Sequence, residues 1–243
     1  MRIAIVGSAG RMGQAVAAAA AGHAEVVAEF DRGGDLAEAL DGCDAYIDFS
    51  SPEATRGAAI AATVRRLPAV IGTTGLEHAD HEAIAALAQV APVVYAANFS
   101  LGVNLVLGLA RAAARALGPE WDAEVVEIHH RAKRDAPSGT ALAIARAIAA
   151  GRGADYDRVK RHARAGEIGP RPRGEIGVQS VRGGDVVGEH VAYFFGQGER
   201  IELAHRATSR AIFATGALRA AAWVVGKPPG RYDMLDVLGF AQA

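Results

Sequence analysis

The sequence predicts an α/β fold in which a parallel sheet covered by helices precedes an α+β region with a mostly antiparallel sheet. Three observations carry this reading. Short β-branched runs alternate with alanine-rich helical segments from Arg2 to Ala96, the pattern of parallel strands joined by crossover helices. From Leu101 the alternation gives way to one long helical stretch, and from Ile176 strand-like runs follow one another without a helix between them. Hydrophobic residues make up 51% of the 243, which is core enough for two modest domains.

Taken in order, Arg2–Val6 reads as a strand, Gly7 to Gly13 as a glycine-rich turn and Gln14–Ala21 as a helix that alanine favours. A second strand covers Glu25–Phe30. A short helix at Leu36–Leu40, a strand at Ala45–Phe49 and a helix at Pro52–Arg66, with proline in its first turn, continue the pattern. A strand at Ala69–Gly72, a helix at Glu77–Gln89 and a strand at Pro92–Ala96 complete it. The loops Gly72, Thr73, Thr74, Gly75 and Ala96, Ala97, Asn98, Phe99 follow strands, so they open at the carboxyl edge where such sheets bind ligands.

The long helix runs to Leu117, and a strand around Ala123–Ile128 and a helix from Ser138 to about Ala150 follow. Arg152–Arg173, rich in arginine, glycine and proline, reads as an exposed loop whose charges form a solvated face. Strands are expected at Ile176–Val181, Val186–Phe195 and Arg200–His205, the last two joined by a turn at Gly196, Gln197 and Gly198. Ser209–Val225 reads as a closing helix that returns to the first domain. The expected domains are therefore residues 1–100 with 210–243, and residues 101–209, with hinges near Ser100 and Ser209.

With 26 basic and 27 acidic side chains, the net charge of −1 offers no global field for nucleic acid or an anionic membrane surface. Cys43 is alone, which rules out an intrachain disulfide and a thiolate metal cluster. The N-terminus opens into a strand without a signal peptide, and the longest apolar run is far short of a membrane span. The expectation is a soluble cytoplasmic protein.

Gly7, Gly10 and Gly13 give a GxxGxxG spacing around Ser8, Ala9, Arg11 and Met12. Tight turns need glycine anyway, so the pattern alone also fits a purely structural turn. Its context favours a dinucleotide: the run follows a strand and opens a helix whose first N–H groups can face a pyrophosphate. Asp31 stands roughly 20 residues on, where such a unit places its ribose-binding acid. Asp31 suits a ribose diol, whereas Arg32, helped by Arg11, suits a 2′-phosphate, so use of both NADH and NADPH is expected.

The chemically densest stretch is Glu127 to Thr140, EIHHRAKRDAPSGT, on a loop between a strand and a helix. Adjacent His129 and His130 would point to opposite faces of a regular strand, so strand pairing must end by about His129 if both are to face one site. Taken alone, such a pair is surface-exposed or structurally satisfied, and Lys133 alone is a solvated lysine. Ser138, as helix cap, changes the balance by turning the Gly139 and Thr140 N–H groups toward a carboxylate ligand. A histidine, a lysine and an anion-binding helix start together suit an acidic substrate that must receive a proton. Zinc is not expected, because adjacent histidines lack metal-ligand spacing. Arg182, Glu189, His190 and Arg210 read as core-edge salt-bridge residues, and Asn98 and Asn104 as turn or cap residues.

The segments VGSAGRMG, IDFSSPEAT, GTTG, AANFSLGVN, EIHHRAKRDAPSGTA, GGDVVGEH and DMLDVLGF, in that order from Arg2 to Phe240, closely resemble the dihydrodipicolinate reductase family, now called 4-hydroxy-tetrahydrodipicolinate reductase. The resemblance implies an enzyme of the diaminopimelate route to lysine. It also implies a Rossmann-type cofactor domain, a separate substrate domain, a small dicarboxylate substrate and a homotetramer joined through the substrate-domain sheets. It makes His129 the proton donor and acceptor, Lys133 a second proton donor and His130 a substrate contact, with Gly139 and Thr140 holding a carboxylate. Gly7, Ser8, Ala9, Gly10, Arg11 and Met12 would meet the cofactor pyrophosphate, and Asp31 and Arg32 its adenosine ribose. Gly72, Thr73 and Thr74, with Ala96, Ala97, Asn98 and Phe99, would lie near the nicotinamide. The implied reaction is hydride transfer to a cyclic imine dicarboxylate, followed by protonation. Two rivals share parts of this signature: another amino- or imino-acid reductase such as an aspartate dehydrogenase, and a non-catalytic dinucleotide-sensing regulator.

Overall fold

The structure, a computed structural model, describes residues 1–31 and 34–240. It divides into two compact units, Met1–Leu101 with Ala211–Ala243, and Gly102–Arg210. In chain order the first unit contains β1 (Arg2–Val6), α1 (Arg11–Ala20), β2 (Glu25–Phe30), α2 (Leu36–Ala39), β3 (Ala45–Asp48), α3 (Pro52–Arg65), β4 (Ala69–Ile71), α4 (His78–Ala88) and β5 (Pro92–Tyr95). Helix α5 (Leu101–Leu117) opens the second unit. There follow β6 (Asp122–His129), α6 (Gly139–Gly151), α7 (Tyr156–Val159), β7 (Lys160–Arg161), β8 (Ile176–Arg182), β9 (Gly188–Phe195) and β10 (Arg200–Ala207). The chain then adds α8 (Ala211–Val224), β11 (Gly230–Tyr232) and α9 (Met234–Val237) to the first unit.

The first sheet is parallel, in the order β11-β5-β4-β3-β1-β2. Side chains alternate between its two faces, as strand geometry requires. Ile3, Ile5, Ile47, Val70 and Val94 pack with Val16 of α1 and with Ala214, Ala217, Ala221 and Val224 of α8. Ala4, Val6, Tyr46, Ile71 and Val93 pack against Ala58, Ala59 and Ala62 of α3 and Ile84 and Leu87 of α4. Both faces are dry, which is why these strands are continuously apolar. The strand order reverses between β1 and β3, so their carboxyl ends open the crevice where this architecture binds ligands.

Several elements differ from expectation. Helix α1 starts at Arg11, so Gly13 lies inside it rather than in the turn; a Cβ there would fall 2.2 Å from the Gly7 carbonyl oxygen. That glycine lets the helix sit directly on the turn. Strand β11, only three residues long, is too short to carry a periodic signal, yet it extends the first sheet beside β5.

The second sheet, β10-β9-β6-β8-β7, is mixed rather than mostly antiparallel. Its β10–β9 and β9–β6 pairs are antiparallel, and its β6–β8 and β8–β7 pairs are parallel. The cause is the crossover through α6, which returns the chain parallel to β6 as only a long connection can. Val125, Val178 and Phe194 on one face pack with Val106 and Ala110 of α5 and Ile144 and Ile148 of α6.

The arginine-rich segment is not simply a solvated face. Arg164 grips Glu124 through both terminal nitrogens, at 2.8 and 2.7 Å, and Glu175 at 2.5 Å. Arg171 reaches Asp122, Glu124 and the carbonyls of Ala123 and Glu175. The acids lie on β6 and just before β8, far along the chain, so local composition does not reveal them. Leu101–Glu120 also meets the length and hydropathy of a membrane span, against expectation. It carries Arg111 and Arg115, and its Val106, Ala110 and Ala114 belong to the second unit's core, the pattern of an amphipathic core helix.

Candidate active site

In the first unit the turn after β1 is tightly packed on glycine. Gly7 has φ +83°, and a Cβ on it would lie 2.5 Å from the Phe49 carbonyl oxygen at the end of β3. Gly10 is the N-cap of α1 and has no side chain with which to cap it, so the dipole end and first-turn N–H groups suit an anionic ligand. The Ala9 N–H donates to Asp31 Oδ2 at 2.9 Å. Asp31 therefore braces the turn, and a carboxylate has acceptor sites enough to meet a ribose diol as well. These features fit a dinucleotide. Arg11 is exposed and Met12 half-buried at the same helix start, whereas Arg32 lies outside the described residues.

Asp48, at the end of β3, ties the neighbouring loops together and was not singled out from sequence. It accepts from the Ser50 hydroxyl at 2.5 Å, the Thr55 hydroxyl at 2.5 Å and the Thr73 hydroxyl at 3.1 Å, and Thr73 Oγ1 accepts from the Ser50 N–H at 2.9 Å. Burial pushes its carboxyl up, against the pull of these hydroxyls. Thr73 thus serves the loop framework with its hydroxyl, while Thr74 is exposed beside it. Of the second loop, Ala96 is half-buried, Ala97 exposed, and Asn98 Oδ1 accepts from the Ser100 N–H at 2.8 Å. The Phe99 side chain is in the core, edge-on to Phe49, so only its backbone is placed to meet a ligand.

In the second unit, regular β6 pairing ends at His129. His130 lies just past it, its N–H donating to the Val186 carbonyl at 2.8 Å. The organising residue is Glu127, fully buried on β6. Its Oε2 lies 2.5 Å from His129 Nδ1 and accepts from Arg182 Nη1 at 2.8 Å. Its Oε1 accepts from Arg182 Nη2 at 2.8 Å and from the Ser138 N–H at 3.1 Å. Burial pushes the Glu127 carboxyl up, but Arg182, His129, Ser180 and Ser138 outweigh it and hold it down at about 2.

Ser138 is the N-cap of α6, its hydroxyl accepting from the Ala141 N–H, and it lies 3.1 Å from His190 Nε2. The His190 ring packs edge-on against His129, with centroids 5.1 Å apart. Burial, and then the neighbouring His129, hold His190 down at about 4. Gly139 and Thr140 form the first turn of α6. Lys133 donates to Asp135 at 2.9 Å, and Arg182 Nη2 also reaches the Asp135 carbonyl at 2.7 Å. His129, Lys133, Ser138 and the start of α6 are thus gathered by one hydrogen-bonded network. Arg182, through the expected kind of salt bridge with Glu127, and His190 belong to it; Glu189, paired with Arg206, also matches the expected salt bridge.

These burials set a pH dependence. A depressed Glu127 contributes stability that is whole above pH 4.5 and lost as the pH falls toward about 2. The stability carried by neutral His190 is whole above pH 6.5 and lost as the pH falls through about 4. The earlier loss, on the order of 2 kcal/mol between those limits, is expected in denaturant titrations at stepped pH, with a shallower slope for His190→Asn. An equal slope in both proteins would show that His190 is not held neutral.

Residues 1–99 match the family model described as dihydrodipicolinate reductase, N-terminus, and residues 102–238 the one described as dihydrodipicolinate reductase, C-terminus. A curated 4-hydroxy-tetrahydrodipicolinate reductase of Alkalilimnicola ehrlichii is 48% identical, over 98% of each chain. A dipicolinate-bound dihydrodipicolinate reductase from Paenisporosarcina superposes with TM-score 0.79 at 25% identity, covering 97% of this chain and 98% of the other. An aspartate dehydrogenase from Thermotoga maritima shares the fold at TM-score 0.50 and 13% identity, over 94% of this chain and 98% of its own. With both halves matched and a near full-length relative at this identity, the chain belongs to the dihydrodipicolinate reductase family.

Proposed function

We propose that the chain reduces 4-hydroxy-tetrahydrodipicolinate, or its dehydrated form, to tetrahydrodipicolinate with NADH or NADPH, in the diaminopimelate route of lysine biosynthesis. The observation that carries this is the network joining His129 to the N-terminus of α6 through Glu127. It ties an imidazole to a helix N-terminus, two groups suited to protonating and to holding an unsaturated dicarboxylate.

Bound NADH or NADPH supplies the hydride. Gly7, Ser8, Ala9, Gly10, Arg11 and Met12 hold its pyrophosphate, Asp31 its ribose and Arg32 a 2′-phosphate where present. Gly72, Thr73 and Thr74, with Ala96, Ala97, Asn98 and the Phe99 backbone, border the nicotinamide. In the second unit the Gly139 and Thr140 N–H groups grip a substrate carboxylate, and His130 contacts the ring. Lys133 stabilises the negative charge that develops on reduction and donates a proton, and His129 delivers a proton to the carbanionic carbon.

A homotetramer assembled through the second sheet belongs to the same reading, as does a cytoplasmic location. Supporting the assembly, Val126, Ile128, Val181 and Val191 share the sheet face opposite the helices, with Tyr193 and Phe195 stacked on it. A coupled assay tests the function: the dipicolinate precursor is supplied through its synthase, and absorbance loss is followed with NADH and with NADPH. Turnover with either supports the proposal. Oxidation of NADH by oxaloacetate and ammonia alone would point to an aspartate dehydrogenase, and binding without turnover to a regulator.

A further inference from the structure

We infer that Glu127 is a positioning residue that fixes which nitrogen of His129 handles the proton, and that it couples this choice to the carboxylate-binding start of α6. The inference rests on the proposed role of His129. An ionised carboxylate can only accept hydrogen bonds, so at 2.5 Å from Glu127 the His129 Nδ1 must carry a hydrogen. Proton exchange with substrate then falls to Nε2. A Cβ on Gly188 would stand 3.0 Å from that nitrogen, so the glycine keeps beside it room that a side chain would take. In the proposed step Nε2 has first taken a proton from solvent; from that imidazolium the Nε2–H bond breaks, its proton forms a C–H bond with the carbanion's electron pair, and the neutral imidazole left behind keeps Nδ1–H.

The donors around Glu127 make the arrangement hard to reverse. Arg182 supplies two and cannot become an acceptor, and the Ser138 N–H is a backbone donor fixed at the start of α6. His129 Nδ1 and the Ser180 hydroxyl, which also bonds the carboxylate, are the neighbours able to exchange donation for acceptance. An amide in place of the carboxylate must aim its NH2 at one oxygen position or the other. Toward the Oε1 position it meets two donors that cannot yield, Arg182 Nη2 and the Ser138 N–H, and toward the Oε2 position only Arg182 Nη1, so it turns to His129, draws the lone pair to Nδ1 and moves the ring hydrogen to Nε2. The charged and titratable groups facing His129 are Glu127 on its own strand, Arg182 on β8, His190 on β9, and Lys133 with Asp135 on the loop before α6.

The test is Glu127→Gln, with the side-chain nitrogens of His129 followed by 15N–1H correlation in the substrate-free protein and kcat and KM measured for the dicarboxylate. The expected result is Nδ1–H in the native protein and Nε2–H in the variant, with kcat lowered about 100-fold or more, the direction seen when an orienting carboxylate is made an amide. His129→Gln/Glu127→Gln should then be no slower than His129→Gln alone. Should the lone Arg182 charge prevent folding, Glu127→Gln/Arg182→Met keeps the Ser138 constraint and carries the same tautomer expectation. An unchanged tautomer, or a kcat within three-fold of native, overturns the inference. If His129→Gln itself retains native kcat, the reading of His129 fails instead, so the two failures are told apart.

Discussion

His129→Gln and Lys133→Ala are each expected to lower kcat by about two to four orders of magnitude while leaving NADH affinity unchanged. Glutamine keeps much of the histidine's bulk and one polar contact to Glu127, so the strand end and its network survive. What it cannot do is release and recover a proton. Lys133→Ala removes a cation whose recorded partner is Asp135 on the same exposed loop, so little of the fold depends on it. Its loss falls on the developing negative charge of the substrate, which is a transition-state interaction and appears in kcat. Steady-state kinetics and NADH fluorescence titration check both halves of the expectation. Native turnover in either variant would remove that residue from the mechanism.

The second large effect separates two glycines that look alike in sequence. In Gly13→Ala the new Cβ would stand 2.2 Å from the Gly7 oxygen and 2.6 Å from Ser8 Cα. Both are backbone atoms, so the turn itself must shift, at a cost of about 1–3 kcal/mol. The turn is also the proposed pyrophosphate cradle, so affinity for NADH and NADPH should fall at least about ten-fold. Gly139 is the opposite case: a Cβ there meets nothing within 4 Å, and its φ lies outside the left-handed region. Alanine suits a helix better than glycine, so Gly139→Ala should fold at least as stably as the native protein. Its expected defect is about a ten-fold rise in KM for the dicarboxylate, because the methyl group stands where a ligand approaches the N–H groups. Thermal melts, cofactor titration and kinetics on both variants give the pattern. An unchanged KM for Gly139→Ala would take the helix start out of substrate binding.

The parts of the molecule that sequence made legible are those decided by neighbours along the chain. Gly7 and Asp31 lie on a strand, turn, helix, strand unit whose period and spacing declare it, and Ser138 before an alanine-rich run declares a cap. The apolar run Ala123–Ile128 declares most of β6, which the structure extends to His129. What stayed hidden depends on register between distant segments. Arg182 reaches Glu127 across 55 residues of chain, and only the parallel pairing of β6 with β8 sets them side by side. Arg164 and Arg171 read as solvated charge because their acids come from β6 and the start of β8. Asp48 looked like an ordinary strand end, since the hydroxyls that hold it come from three later positions.

The return of the chain through α8 and β11 has a consequence for how the protein is made. One face of the first sheet, with Ile3, Ile5, Ile47, Val70 and Val94, takes much of its cover from α8, which leaves the ribosome only after the whole second unit. During synthesis that apolar face must wait, half-dressed, while about a hundred further residues are added at several residues per second. The intervening unit, with its own core, can fold during the delay. The unit that begins the polypeptide is therefore the last to close, and the nascent chain is most open to aggregation or chaperone capture before Val224 is in place.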